Sequence, residues 1–321
     1  VEVRGRDRER VAFESELYAE LRPQMFAIAY RMLGSVSEAD DVVQEAFLRF
    51  HQALLQESNI DSPRSYLATI TTRTSIDHLR RARARREQYV GEWLPEPVLE
   101  DPLPDDEEHE GTADSLSLAF LVLLETLSPV QRAVFLLHDV FDYEYREIAP
   151  IVGKSEQNCR QLAARARRQI DERRPRFESS REQRDELAQR FFDAVEDGDT
   201  EGLLALLAAD AAIYGDGGGK APAWPRPIFG QRQVAHLLAT IGARIRPLGV
   251  RRRRVYVNGQ PGSVFLDPDG RLINVMSLDI AEGVVQSVRS ILNPEKLGHL
   301  GEVGDLRGLL RAEREGEAGE E

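Results

Sequence analysis

The chain has 321 residues, a formal net charge of −13, and a content of 41% hydrophobic and 30% charged side chains, which suits two or three globular domains. Its one cysteine, Cys159, excludes an internal disulfide or a cysteine-built zinc site and suits a reducing cytosol. The longest apolar run, Leu118 to Leu124, is far too short to span a membrane, and Val1 to Arg8 holds no hydrophobic segment of the kind a secretory signal needs. The acidic average argues against nucleic acid, yet the charges are segregated. Nine basic residues face five acidic ones between Glu144 and Arg176, and seven face two between Arg64 and Tyr89. Local patches decide nucleic-acid binding, so the average is no veto.

Residues 13 to 90 read as three or four helices. Leu17, Leu21, Ile28, Ala29, Met32 and Leu33 form an apolar stripe closed by Gly34 and Ser35. Asp40-Asp41 is expected to open a second helix, where acids suit the helix dipole. Val43, Ala46, Phe47, Phe50 and Leu54 form its buried side, which leaves Asp41, Gln44 and Glu45 outward. After a polar loop, Gln56 to Ser62, Pro63 starts a third helix. That helix runs through Tyr66, Leu67, Ile70, Ile76 and Leu79 into the basic run Arg80 to Arg86.

Residues 91 to 114 read as a linker: Trp93-Leu94-Pro95-Glu96-Pro97, then an acidic, proline-containing tract too polar to bury a core. A tryptophan among prolines is out of place unless it docks. Residues 115 to 178 end in a helix-turn-helix pattern from Tyr143 to Arg174. Glu147 to Val152 supplies a short apolar helix, in which Pro150 is expected to cause a kink or an early end. Gly153 makes the turn and Ser155 caps the next helix. There Cys159, Leu162, Ala163, Ala166 and Ile170 share one face at a period of about 3.6. The other face presents Gln157, Asn158, Gln161, Arg165 and Arg168, with Arg160 at its margin. Planar amides and guanidinium forks match base edges and phosphates in a major groove. Taken alone, the stretch reads equally well as a solvated helical hairpin.

The pattern changes beyond Arg181. Leu187, Phe191, Phe192 and Val195 mark a helix ended by Asp197-Gly198-Asp199, and Leu203 to Leu207 gives another. Ala211 to Tyr214 is a short strand and Gln231 to Ile245 a third helix. Four strands follow, at about 250–257, 262–267, 271–279 and 284–292, separated by turn residues. Helices first and an antiparallel meander afterwards predict an α+β domain over residues 181 to 297. Asp216-Gly217-Gly218-Gly219-Lys220 follows the first strand, and Asn293-Pro294-Glu295-Lys296-Leu297 follows the last. The first is no Walker A loop, because Tyr214 and Ala221 stand where Gly and Ser or Thr are needed. Residues 298 to 321 read as a flexible acidic tail. The sequence calls for no cofactor and no metal.

These motifs together resemble a known family. Asp40-Asp41-Val42-Val43-Gln44-Glu45-Ala46-Phe47, with Ser62-Pro63-Arg64-Ser65-Tyr66-Leu67 and the basic helix, resembles region 2 of bacterial RNA polymerase sigma factors. Leu127-Ser128-Pro129-Val130-Gln131-Arg132 with the helix-turn-helix resembles region 4. There is no room between them for the intervening domain of housekeeping sigma factors, so the layout resembles the extracytoplasmic-function subgroup. The Trp-Leu-Pro-Glu-Pro, Asp-Gly-Gly-Gly-Lys and Asn-Pro-Glu-Lys-Leu motifs resemble, as a set, members with a fused SnoaL-like, cone-shaped C-terminal domain.

The resemblance implies two all-α sigma domains, a cytoplasmic setting, and core RNA polymerase and promoter DNA as partners. Asp41, Gln44 and Glu45 would dock on the clamp helices of the polymerase. Asn59, Ser62, Arg64, Arg73, Asp77 and Arg80 would contact the melted −10 element. Gln157, Asn158, Arg160, Gln161, Arg165 and Arg168 would read the −35 duplex. The residues Trp93, Leu94, Pro95, Glu96 and Pro97, Asp216, Gly217, Gly218, Gly219 and Lys220, and Asn293, Pro294, Glu295, Lys296 and Leu297 would regulate the sigma domains from within, in response to a small-molecule or protein signal. A pairing of Lys220 with Glu96 is expected. Two other functions remain open at this stage. One is a ligand-sensing helix-turn-helix regulator, which leaves Asp41, Gln44 and Glu45 without a task. The other is an enzyme using Tyr214, Asp216, His236 or Asp279, although no spacing among them singles out an acid–base pair.

Overall fold

The structure, a computed structural model, describes residues 2–56, 60–86, 88–100, 115–171 and 180–317. It divides into two compact units: Val1–Glu87 with Leu123–Arg173, and Gln88–Val122 with Arg174–Glu321.

In the first unit, α1 (Glu2–Leu33), α2 (Val36–Leu55) and α3 (Pro63–Arg86) pack together. Met25, Ile28, Met32 and Leu33 of α1, Val42, Val43 and Phe50 of α2, and Leu67, Ile76 and Leu79 of α3 are buried. Each large aliphatic side chain removed from water contributes about 1.5–3 kcal/mol. The start of α2 differs from the sequence expectation. Ser35 Oγ accepts the Glu38 amide at 3.1 Å, so Ser35 is the N-cap and Asp40-Asp41 fall in the second turn. The cap side chain, not the acids, decides where the helix begins. Ser62 caps α3 in the same way, accepting from the Ser65 amide at 3.2 Å with Pro63 as first residue.

The unit is completed by the end of α4 (Leu118–Leu124), α5 (Pro129–Asp139), α6 (Tyr145–Val152) and α7 (Glu156–Asp171). Ser128 and Gln131 form a reciprocal capping box at the start of α5. Pro150 falls in the last turn of α6, which ends at Val152, and Gly153 closes it in the left-handed conformation at φ 64°. The proline sits in a helix that stops after eight residues.

The second unit carries α8 (Arg181–Asp197), α9 (Thr200–Leu206) and α10 (Gln231–Ile245). They accompany a seven-stranded sheet. Its strands are β1 (Leu99–Glu100), β2 (Leu207–Asp216), β3 (Ile228–Phe229), β4 (Arg251–Val257), β5 (Gln260–Leu266), β6 (Leu272–Ala281) and β7 (Val284–Ile291), in the order β1-β4-β5-β6-β7-β2-β3. The meander from β4 to β7 follows the sequence expectation. Asn258-Gly259 and Glu282-Gly283 take positive φ at both positions, the geometry of two-residue hairpin turns. One sheet face, with Phe265, Met276, Leu278 and Val288, packs on Phe191, Phe192, Leu203 and Leu238. On the other, Val255, Val264, Val275 and Ile291 gather Leu94, Leu118 and Leu297.

Three features were not legible beforehand. β2 runs ten residues and lies parallel to β7, pairing Ile213 with Val288 and Asp216 with Ile291. Leu99 and Glu100, from the linker, pair with Val257 and Tyr256 as an added edge strand. The short helix α11 (Pro294–Leu297) precedes the stretch read as a flexible tail, and that stretch itself carries α12 (Leu306–Glu317). The backbone at Glu302 and Gly304 hydrogen-bonds to Leu272, and Leu306 packs against the core. The leucines of α12 supply the apolar contact that acid-rich composition obscured.

Candidate functional site

On α2, Asp41 and Gln44 are exposed, and Glu45 is half-buried and paired with Arg49 one turn on. Asp40 pairs with Arg22 at 2.8 Å and belongs to the helix packing. On α3, Arg64, Arg73, Asp77 and Arg80 are all exposed. Positions 73, 77 and 80 follow one helical face, and Arg80 donates to Asp77 at 3.0 Å. Ser62 is exposed and occupied in capping. Asn59 lies outside the described residues.

All six candidates on α7, Gln157, Asn158, Arg160, Gln161, Arg165 and Arg168, are exposed. The opposite face, Cys159, Ala163, Ala166 and Ile170, is buried. Burial pushes the Cys159 thiol up, which suits a packing role. Arg160 pairs with Glu156 at 3.1 Å and lies over the Tyr145 ring at 5.3 Å. Arg167 was not singled out by the sequence. It donates to Asp139 at 2.5 Å and to the Tyr145 hydroxyl at 3.3 Å, fixing α7 on α5 and α6.

Within this unit, side chains of α3 and α5 tie the two candidate DNA-facing modules together. Arg73 of α3 donates from Nε to the Ile151 carbonyl at 2.9 Å and from Nη2 to the Pro150 carbonyl at 2.7 Å. The last carbonyls of a helix lack intrahelical donors, and a guanidinium there meets the negative end of the dipole. Arg64 lies over the Tyr143 ring at 5.4 Å. Arg132 of α5, only 2% exposed, donates to the Met32 carbonyl at 2.7 Å and the Leu124 carbonyl at 3.0 Å, and pairs with Glu125 at 2.7 Å. In the sequence Arg132 stood only as the last residue of the region 4 motif. Its partners are mostly backbone carbonyls, which leave no sequence signal.

In the second unit the three motifs converge on one buried carboxylate. Parallel pairing of β2 with β7 puts the end of β2 beside Asn293, and the Leu292 and Asn293 amides donate to the Asp216 carbonyl at 2.8 and 2.9 Å. The Asp216 side chain is fully buried. It accepts from the Tyr89 hydroxyl at 2.5 Å, from the Leu94 amide at 2.8 Å and from Lys296 Nζ at 2.6 Å. Lys296 also donates to the Leu94 carbonyl, and its ammonium lies 4.3 Å from the Trp93 ring centre and 4.9 Å from that of Tyr89. Asn293 donates to the Tyr89 hydroxyl at 2.8 Å, and His299 meets the Pro97 carbonyl at 2.8 Å. Burial and then the adjacent Asp216 carboxylate push the Tyr89 phenol well above its usual value, so it stays a donor. Leu94 is 1% exposed. The tryptophan in the linker does dock.

The glycines explain the closeness. A Cβ on Gly218, at φ 56°, would stand 2.3 Å from Asn293 Nδ2 and 3.0 Å from the Tyr89 hydroxyl, and one on Gly219 3.3 Å from Val90 Cβ. The expected pairing of Lys220 with Glu96 is corrected: Lys220 pairs with Glu295, and Lys296 is the cation that meets the linker. Lys220 is half-exposed at the loop tip, whereas Lys296 follows a helix cap at Asn293 that turns its side chain inward. The four polar candidates for catalysis do not form one acid–base pair: Tyr214 and Asp279 both meet Arg289, and the carboxylates are held in ion pairs. Asp216 is held by Lys296, Asp279 by Arg289 and Ser287, Tyr214 lies under Arg289, and His236 is exposed on α10.

The Sigma-70 region 2 model matches residues 17–85, and the Sigma-70, region 4 model matches residues 117–170. The chain is 33% identical to the ECF RNA polymerase sigma factor SigJ of Mycobacterium tuberculosis over 289 residues, 86% of this chain and 90% of that protein. The chain belongs to the extracytoplasmic-function (ECF) RNA polymerase sigma factors. The crystal structure of the M. tuberculosis sigma factor SigJ matches with a TM-score of 0.71 at 32% identity, covering 88% of this chain and 98% of that one. The ECF sigma factor SigG of M. tuberculosis is 30% identical over 273 residues, 76% of this chain and 70% of that protein. As a sigma factor the chain binds core RNA polymerase and promoter DNA. The α+β second unit is the SnoaL-like C-terminal domain that the motifs implied. The region 2 match accounts for residues that a free-standing helix-turn-helix regulator leaves without a task. Among the described residues, no helix is long and apolar enough to cross a membrane.

Proposed function

We propose that this ECF sigma factor reads the −35 duplex with Gln157, Asn158, Arg160, Gln161, Arg165 and Arg168 of α7. In the same reading Asn59, Ser62, Arg64, Arg73, Asp77 and Arg80 contact the melted −10 strand, and Asp41, Gln44 and Glu45 face core polymerase. The chain works in the cytoplasm and is itself no enzyme. The ion pairs that occupy the Asp216 and Asp279 carboxylates support that last point.

One observation carries the control mechanism. Arg73 of the −10 helix is hydrogen-bonded to the end of α6, the helix next to the −35 reader. Elements centred 25 base pairs apart lie about 85 Å apart along the duplex. Helices in direct contact do not reach both, so α3 must leave α6 before a promoter is engaged. The described packing of the first unit is a resting state. The linker joining α3 to the region 4 helices is the tether that must pay out. Its positions 88–100 are held in the second unit by the Asp216 anchor and the β1 pairing, which removes about 45 Å of reach from the tether. The C-terminal domain therefore restrains the sigma domains through the linker, and a signal acting on that domain shifts the balance between resting and open states.

The test is run-off transcription with bacterial core polymerase on a genomic promoter pool. The full chain is expected to direct new start sites, and Arg165→Ala to weaken them. A chain that binds duplex DNA but not core polymerase would overturn the reading.

A further inference from the structure

The second unit holds an apolar cavity of about 140 Å³ between the sheet and its helices. Trp224, Leu238, Phe265 and Met276 form its walls, and Leu306 and Leu310 of α12 close one side. Cavities of about 150 Å³ lined by such side chains hold a benzene-sized molecule. Three polar residues interrupt the wall: Arg244 on the α10 side, and Asn274 with Ser290 on the sheet, where Ser290 Oγ donates to Asn274 Oδ1 at 3.0 Å and the Asn274 amide nitrogen supplies donors of its own. The lining holds no Asp, Glu or His among the described residues, so the cavity offers hydrogen bonding without acid–base chemistry.

The cavity shares a wall with the linker anchor. Pro222 and Trp224 belong to the loop that begins at Asp216. A Cβ on Gly215 would lie 2.6 Å from the Trp224 ring, so the indole rests on the strand end that carries Asp216. Leu292, also in the wall, donates its amide to the Asp216 carbonyl at 2.8 Å. The same short segments face the cavity on one side and the linker on the other.

We propose that this cavity binds a one-ring apolar molecule bearing a single hydrogen-bonding oxygen, of the size of a substituted phenol. Its occupancy moves the Trp224 loop and thereby the Asp216 anchor. The inference rests on the linker-control reading for its consequence, but not for its binding step.

The test uses the full chain with p-cresol and toluene as probes, read by saturation-transfer NMR and calorimetry, with hydrogen exchange at the Leu94 amide. One p-cresol is expected per chain, bound up to about tenfold tighter than toluene, the worth of one neutral hydrogen bond. Asn274→Leu is expected to erase that preference while toluene still binds. Ile241→Trp, which fills the half-exposed wall, is expected to remove both probes while the near-ultraviolet dichroism of the fold remains. Bound p-cresol is expected to change exchange at Leu94. Failure of both probes to saturate, or unchanged binding in Ile241→Trp, overturns the site. Binding with Leu94 exchange unaltered overturns the coupling. None of these readouts depends on transcription, so their failure is distinct from failure of the sigma-control reading.

Discussion

Each unit has a buried charge that ties distant segments together, Arg132 in the first and Asp216 in the second, and the two are satisfied differently. Arg132 in the first unit satisfies its guanidinium with two backbone carbonyls and Glu125. Asp216 in the second draws a lysine, a tyrosine hydroxyl and a backbone amide from segments up to 127 residues away in sequence. The Arg132 site holds helices of one compact body together and keeps a route to water, since Glu125 is 26% exposed. The Asp216 carboxylate is itself fully buried and grips a linker. A fixed scaffold tolerates a partly hydrated anchor, whereas a restraint on a tether works best when it is dry and cooperative, because a low local dielectric strengthens each contact.

The largest effect is expected at Asp216. Asp216→Ala leaves Lys296 buried without its carboxylate, and removal of one partner of a buried pair costs about 3–5 kcal/mol. Urea unfolding of the full chain is expected to show that loss, with Leu94 deprotected in hydrogen exchange. A loss below about 1 kcal/mol would mean that water replaces the carboxylate and that the anchor is not dry. Arg132→Met is expected to cost less, about 2–3 kcal/mol, because Glu125 can turn to solvent while two carbonyls lose their donor. Equal losses in the two variants would remove the distinction between them.

Gly218→Ala sharpens the picture at a single atom. The left-handed backbone costs about 1–2 kcal/mol for an L-residue, and the new methyl meets Asn293 Nδ2. Thermal unfolding should show a loss of that size, with the first unit unaffected. Lys220→Ala is the smallest change, because an exposed ion pair with Glu295 contributes about 0–1 kcal/mol. A large loss there would return the linker contact to Lys220 and remove it from Lys296.

The same contrast explains what could be read in advance. The helices of region 2 and of the helix-turn-helix were legible because their apolar residues recur at helical spacing and because Pro63 and Ser155 mark helix starts. The exposed face of α7 was legible for the same reason: Cys159, Ala163, Ala166 and Ile170 define its opposite. The Asp216 anchor was visible as three motifs but not as a geometry. Which of two lysines turns inward depends on the parallel β2–β7 pairing, and parallel neighbours leave no turn signal between them. Arg132 and Arg73 were opaque as anchors because they bind carbonyls, which every residue carries. The added strand at Leu99-Glu100 was opaque because two residues are too few for an alternation pattern.

A linker anchor that restrains the sigma domains must raise their output when it is loosened. Run-off transcription with core polymerase, comparing the wild-type chain with Lys296→Met, tests it most directly, because Lys296 is the cation bridging Asp216 to the Leu94 carbonyl. Lys296→Met is expected to give the same start sites with more transcript at equal folded protein. Equal or lower output from a folded Lys296→Met chain would contradict it.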